Sequence, residues 1–291
     1  MLAQSFRRGR TNIVMVVLPS VGDPFFSAVM RGIRIAASAQ GYSVIFEDTQ
    51  FNEMIYDNLG TLLVSNRVDG LILLASISPL GNEILSSKTK ANLPVVIGCE
   101  TGTPELSEFL SVHIDNVSAA REATNLLISQ GHQRTAMVCG QASSLLTKDR
   151  EVGYRIAMKE NRLPIKDGWV FDGDLSISGA RKASRSLMNH DTRPTAIFCA
   201  NDEMVIGCIH EIESNGMRVP RDISVLGFDD IQCAEVTDPP LATDSQPAEE
   251  IGERVMYRLC RSLRTGPDEN TEAEVVPCKL VVRLSVARPS S

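Results

Sequence analysis

The sequence predicts an α/β fold made of two doubly wound, parallel-sheet subdomains joined by several hinge crossovers. Three observations carry the prediction. From residue 12 onward, short, continuously apolar, β-branched runs alternate with longer amphipathic stretches, the pattern of parallel strands covered by helices. The alternation completes one round by about residue 131, and a second begins at residue 134. A helix and a strand-like run are then left over, so the chain crosses back, and a connection of several crossings behaves as a hinge.

In the first round the strands are residues 12–18, 42–47, 70–75, 94–98 and 110–114, with helices near 24–40, 53–66, 80–91 and 117–130. Within "VGDPFFSAVMRG", Asp23 followed by Pro24 forms an N-cap and first-turn pair that opens the first helix. The second round has strands at 134–139, 168–172, 195–199 and 223–227 and helices near 149–161, 176–189 and 202–215. Gly41, Gly131 and Gly216 each stop a helix where a left-handed residue is wanted, shortly before a new strand. The remainder reads as a proline-rich passage, "DPPLATDSQP", an amphipathic helix, "AEEIGERVMYRLCRSLRTG", a strand-like run, "VVPCKLVVRLSV", and a loose tail, "ARPSS".

A chain of 291 residues with 43% hydrophobic content is long enough for two domains with sizeable cores. Its longest apolar runs, such as "NIVMVVLP" and "GLILLA", are far too short to cross a bilayer, and no signal-peptide core follows the charges of "MLAQSFRRGRT". Seven cysteines stand singly with no C-x-x-C pair, and the four histidines show no metal-ligand spacing. These features point to a cytoplasmic protein with reduced core thiols, no membrane contact, no metal and no cofactor. The net charge of −7 argues against a broad nucleic-acid-binding face, and the basic exception is "RRGR" at residues 7–10.

In an open parallel sheet, ligands bind beyond the carboxyl ends of the strands, where loops and helix N-termini converge. The polar residues expected there are Asp115 with Asn116 in "IDN", Asn201 with Asp202 in "CAND", and Asp229 with Asp230 in "GFDD". Arg150, in "DREVGY", is expected to open the first helix of the second half. Each Asx residue has a plainer reading as a helix cap, and Arg150 one as a surface ion pair. Together they suit a neutral polyhydroxyl molecule, since a carboxylate accepts from two neighbouring hydroxyls and a guanidinium donates a fork of hydrogen bonds. Phe26 shares a face with Val29, Met30 and Ile33, whereas Phe25 stands one residue off that stripe. The two rings are therefore either core or a stacking surface for a flat ligand. No G-x-G-x-x-G, P-loop or G-x-S-x-G motif is present, so an enzyme is not expected.

These residues resemble the LacI/GalR family of bacterial transcription regulators over essentially the full chain. The matching segments are "DPFFSAVMRGI", "VHIDN", "ISQGHQRTAMVCG", "DREVGY", "TAIFCANDEMVIG", "GMRVPRDISVLGFDDI", "DPPLATDSQP" and "IGERVM", in the family's order. The resemblance implies a periplasmic-binding-protein-like (type I) core of two subdomains that close on a small effector, a sugar or nucleoside, and that dimerise. It places effector contacts on Phe25, Phe26, Asp115, Arg150, Asn201, Asp229 and Gln246. Relatives often carry an aromatic after "GD" in the second subdomain; here "DGDLSISG" has Leu175.

Family members begin with a helix-turn-helix headpiece and a hinge helix, and "LAQSFRRGRT" resembles the end of that hinge helix. In the family this helix enters the minor groove of operator DNA, which places Leu2, Ala3 and Phe6 against the bases and "RRGR" on phosphate. The expected organisation is residues 1–11 as hinge remnant, 12–131 plus 247–270 as the N-terminal subdomain, and 132–246 plus 271–291 as the C-terminal one. The expected function is effector binding and dimerisation in a transcriptional repressor, with allosteric control of operator binding. The alternative is a periplasmic-type solute-binding protein of a transport system.

Overall fold

A computed structural model describes residues 11–49, 68–74, 93–100, 109–141, 144–266 and 272–290. The helices expected at 53–66 and 80–91, and the proposed DNA contacts Leu2, Ala3 and Phe6, lie outside these residues. The chain forms two units, Met1–Ile114 with Pro247–Val276, and Asp115–Gln246 with Pro277–Ser291. It therefore passes from one unit to the other three times, after residues 114, 246 and 276. The first and third passages differ from the expected boundaries at 131 and 270. Strand periodicity marks where an element ends, but only packing decides which body it joins.

In the first unit the sheet order is β11-β5-β4-β3-β1-β2, and every pairing is parallel. The strands are β1 (Ile13–Leu18), β2 (Ser43–Asp48), β3 (Gly70–Leu73), β4 (Val95–Gly98), β5 (Leu110–His113) and β11 (Glu274–Val275). β3 and β4 are buried at every position, as expected of strands covered on both faces. Helix α1 (Pro24–Ala39) starts where Asp23 accepts the Phe25 and Phe26 amides, and it packs along α6 (Ala248–Thr265). Their backbones meet at glycines: a Cβ on Gly32 would stand 2.0 Å from the Glu249 carbonyl oxygen, and one on Gly252 would stand 2.1 Å from that of Val29.

The second sheet runs β12-β10-β9-β8-β6-β7, with β6 (Thr135–Cys139), β7 (Val170–Asp172), β8 (Ala196–Cys199), β9 (Ser224–Asp229), β10 (Ala242–Ser245) and β12 (Lys279–Val281). All its pairings are parallel except that of β10 with β12. Helices α2 (Asn116–Ser129) and α3 (Leu145–Glu160) pack together, as do α4 (Ile177–Met188) and α5 (Asp202–Ser214). Tyr154 and Trp169 are fully buried here, the phenol donating to the Thr135 carbonyl at 2.8 Å and the indole to that of Thr192 at 3.2 Å. Among the described residues, none of the seven cysteines is in a disulfide.

Gly41, Gly131 and Gly216 adopt the expected left-handed conformation, with φ of 78°, 103° and 77°. Other expectations are corrected. The proline-rich passage contains β10, a strand concealed by Pro239, Pro240 and Pro247 on either side of four residues. The single strand-like run at the end is divided into β11 and β12 around Pro277, which has no amide to offer a ladder. The described part of the "ARPSS" tail, residues 287–290, is not loose: Ala287 accepts from Ser224 Oγ at 3.1 Å and contacts His132 Nε2 at 2.8 Å, and Ser290 Oγ donates to the Arg221 carbonyl at 2.8 Å.

Candidate functional site

Helix α3 begins earlier than its amphipathic pattern indicates, because Ser144 caps it by accepting the Thr147 amide. Arg150 therefore does not open the helix; it stands in the second turn, facing inward and only 4% exposed. Its Nε donates to Asn116 Oδ1 at 2.9 Å, and an Nη donates to the Ala200 carbonyl. The same Nη lies 3.6 Å from Asp229 Oδ1, and the guanidinium carbon sits 3.8 Å over the centre of the Phe228 ring. A buried charge is tolerated only when paired and hydrogen-bonded, and this guanidinium meets both conditions.

Asp229 ends β9 with a left-handed φ of 106° and accepts from Gln246 Nε2 at 2.6 Å. Gln246 immediately follows β10, Ala200 immediately follows β8, and Asn116 is the first residue of α2. The second unit thus gathers Arg150, Asp229, Gln246, Asn116 and the start of α5 at the carboxyl ends of neighbouring strands, the place where such sheets take ligands.

The two remaining acidic and amide candidates of this unit act as caps. Asp115 is exposed and accepts the Ser118 amide at 2.9 Å. Asn201 is buried; its Oδ1 accepts the Met204 amide at 2.9 Å while its Nδ2 donates to the Leu175 carbonyl at 3.2 Å. Capping is not the role of Asp229, which precedes no helix. Leu175 and Asp174 both have left-handed backbones, with φ of 50° and 55°, and Gln141 Nε2 donates to Asp174 Oδ1 at 2.5 Å. Phe25 and Phe26 belong to the first unit, both buried, their rings edge to face with centroids 5.3 Å apart.

Sequence reasoning placed Asn116 and Asp229 at strand ends but did not pair them with Arg150, and it did not single out Ala200 or Phe228. Asn116 adjoins Asp115 in the "IDN" segment, yet the structure buries the amide and exposes the acid, and no periodicity separates two adjacent polar residues. Asn116 Nδ2 and Thr147 Oγ1 make no hydrogen bond although both are buried. Phe228 offered only the signal of an aromatic next to "DD".

Two more buried acids flank this arrangement. Asp202 is fully buried, and burial pushes its carboxyl up to about 7, with the nearby Asp230 charge adding to the rise and the Thr243 hydroxyl and loop amides opposing it. Asp244 is 1% exposed, and neither of its oxygens has a hydrogen-bond partner of good geometry. Burial raises its carboxyl too; the Cys278 thiol and the Arg150 charge hold it down in part, and Glu122 raises it further. The same surroundings push Cys278 up to about 12. Among the described residues, no group of three or more His, Cys, Asp and Glu is placed to hold a metal ion, and no helix is long and apolar enough to cross a membrane.

Residues 11–283 match the family described as periplasmic binding proteins and sugar binding domain of LacI family. The chain is 32% identical over 282 residues to the HTH-type transcriptional repressor CytR of Escherichia coli (strain K12), covering 97% of this chain and 81% of that protein. The transcriptional regulator CelR in complex with cellobiose has a similar fold, with a TM-score of 0.86, 28% identity, and coverage of 98% of this chain and 89% of that one. A LacI family transcriptional regulator from Enterococcus faecium with bound ribose gives a TM-score of 0.83 at 25% identity, covering 95% of this chain and 99% of that one.

Proposed function

Because the chain belongs to the family of periplasmic binding proteins and LacI-family sugar-binding domains, we propose that it is the effector-binding and dimerisation part of a bacterial transcriptional repressor. The effector is a neutral, hydroxyl-bearing molecule, a sugar or nucleoside, whose binding biases a DNA-competent state. One observation carries this reading: the buried Arg150–Asp229 pair, with Asn116 bonded to the guanidinium and Gln246 to the carboxylate, and Asn201 two residues beyond the end of β8. A carboxylate fixed this way accepts from neighbouring hydroxyls, and the Asn116 amide has a donor to spare. Cellobiose in one related regulator and ribose in another support the sugar class.

The relatives are repressors, which favours this reading over a solute-binding protein of transport and over an enzyme. Phe25, Phe26 and Asp115 enter the proposed effector set through the family resemblance, as do Leu2, Ala3 and Phe6 for operator DNA. Coupling between effector and operator is expected at roughly 1–3 kcal/mol and is reciprocal.

The test is a thermal-shift screen of pentoses, hexoses and nucleosides, since a ligand at one hundred times its Kd stabilises by about 2.7 kcal/mol. Stabilisation by at least one neutral polyol or nucleoside, lost in Asp229→Ala, is the expected result. A screen in which only phosphorylated or other anionic compounds stabilise the chain overturns the reading.

A further inference from the structure

Four side chains hold the loop that carries Asp229. Gln246 Nε2 donates to Asp229 itself at 2.6 Å. At the next residue, the Asp230 amide donates to Thr243 Oγ1 at 3.3 Å, and Arg283 pairs with the Asp230 carboxylate at 2.7 Å. At the third, the Ile231 amide donates to Asp202 Oδ2 at 3.0 Å. Asp229 and Asp230 have successive left-handed backbones, with φ of 106° and 57°, which non-glycine residues hold only when their surroundings impose it.

Asp202 differs from the other three supports. It is the first residue of α5, directly after the cap Asn201, and it is fully buried. It reaches β9 because residue 227 is glycine: a Cβ there would stand 2.1 Å from Asp202 Oδ1. One helix N-terminus therefore sets two candidate effector contacts, Asn201 by its own position and Asp229 through the Asp202 bond to the loop.

We infer that Asp202 is a positioning residue for effector recognition: it touches no effector, and it fixes the left-handed turn that aims the Asp229 carboxylate. The inference rests on the effector reading above for its consequence, and on the loop hydrogen bond for its mechanism. The groups that face Asp202 are Thr243 from β10, Asp230 from the loop, Cys199 from β8 and Cys233; Glu203 is its neighbour on its own helix.

The experiment measures amide hydrogen exchange at Ile231 and calorimetric affinity for D-ribose, in the wild-type chain and in Asp202→Ala, Asp202→Asn and the neighbouring control Glu203→Gln. In wild type, the Ile231 amide is expected to exchange at least tenfold more slowly than an open amide. Asp202→Ala abolishes that protection and weakens ribose binding tenfold or more. Asp202→Asn, which keeps an acceptor oxygen, restores both to within about threefold, and Glu203→Gln leaves both unchanged. An unprotected Ile231 amide in wild type, a reading that needs no variant to fold, overturns the inference. So does an alanine variant that binds ribose as wild type does. Failure of the wild-type chain to bind ribose counts against the sugar effector, and the exchange measurement then decides on Asp202 separately.

Discussion

Replacing Arg150 by methionine removes a buried charge while keeping much of the side-chain volume, so its cost reports the polar network rather than a cavity. At 3.6 Å, two unit charges in an effective dielectric of about 20 attract by about 4–5 kcal/mol. Removing one partner of a buried pair typically costs about 3–5 kcal/mol, because the other charge is left uncompensated. Here Asp229 would lose its cationic neighbour while keeping the Gln246 bond, and Asn116 Oδ1 and the Ala200 carbonyl would lose the Arg150 donor. The expected loss is therefore about 3–5 kcal/mol, or about 10 °C in Tm for a body of this size. Adding Asp229→Asn should restore part of it, since replacing both partners removes the stranded charge, and the cycle should show a coupling of about 2–3 kcal/mol. The chain has one tryptophan, Trp169, fully buried in the second unit, so its fluorescence during urea unfolding reports the unit that holds the pair. A single variant that loses less than about 1 kcal/mol, or effects that add to within about 0.5 kcal/mol, would show that the pair contributes no coupling.

Asp202 gives stability a definite pH dependence. Its carboxyl is at about 7 in the fold, against about 3.9 for an unfolded aspartate, so the folded state holds the extra proton. The stabilisation is complete below about pH 4 and is lost as pH rises through about 7, a total on the order of 4 kcal/mol. Trp169-detected unfolding should weaken over that window, and Asp202→Asn should flatten the trend. Asp244 acts in the same direction; Asp244→Asn is expected to stabilise the protein by about 1–3 kcal/mol at pH 8 and by much less at pH 4, because it removes a buried carboxylate that no well-formed hydrogen bond compensates. Gly252→Ala should destabilise the first unit by about 1–3 kcal/mol, since the new methyl meets the Val29 carbonyl, which has no rotamer to escape by; unchanged calorimetric melting would contradict that close approach. Phe25→Ala should cost about 3–5 kcal/mol in the same measurement, as the loss of a ring buried against Phe26.

The sequence was most legible where one physical rule dominates. Apolar runs marked strands such as β1, β4 and β8, and Asp23–Pro24 and the glycines after α1, α2 and α5 marked helix ends, because capping and left-handed backbone are local requirements. Legibility failed where two rules compete. β10 is short, half polar and surrounded by prolines, so turn chemistry hid a strand whose burial comes from β9 and β12. The start of α3 was placed late because its first turn, "LLTK", departs from the amphipathic pattern while the Ser144 cap decides where the helix begins.

By itself the sequence determined the alternating α/β pattern, the division into two rounds, the family, and which polar residues follow the strands, since period, punctuation and motif are written along the chain. Only the tertiary structure decided which of those residues meet. It turned Arg150 inward onto Asn116, Asp229 and Phe228, left Asp115 exposed as a cap, and assigned α2 and β11 to their units. Such outcomes depend on burial and on distances between residues far apart in the chain, as with the 34 positions that separate Asn116 from Arg150, and no local rule encodes them.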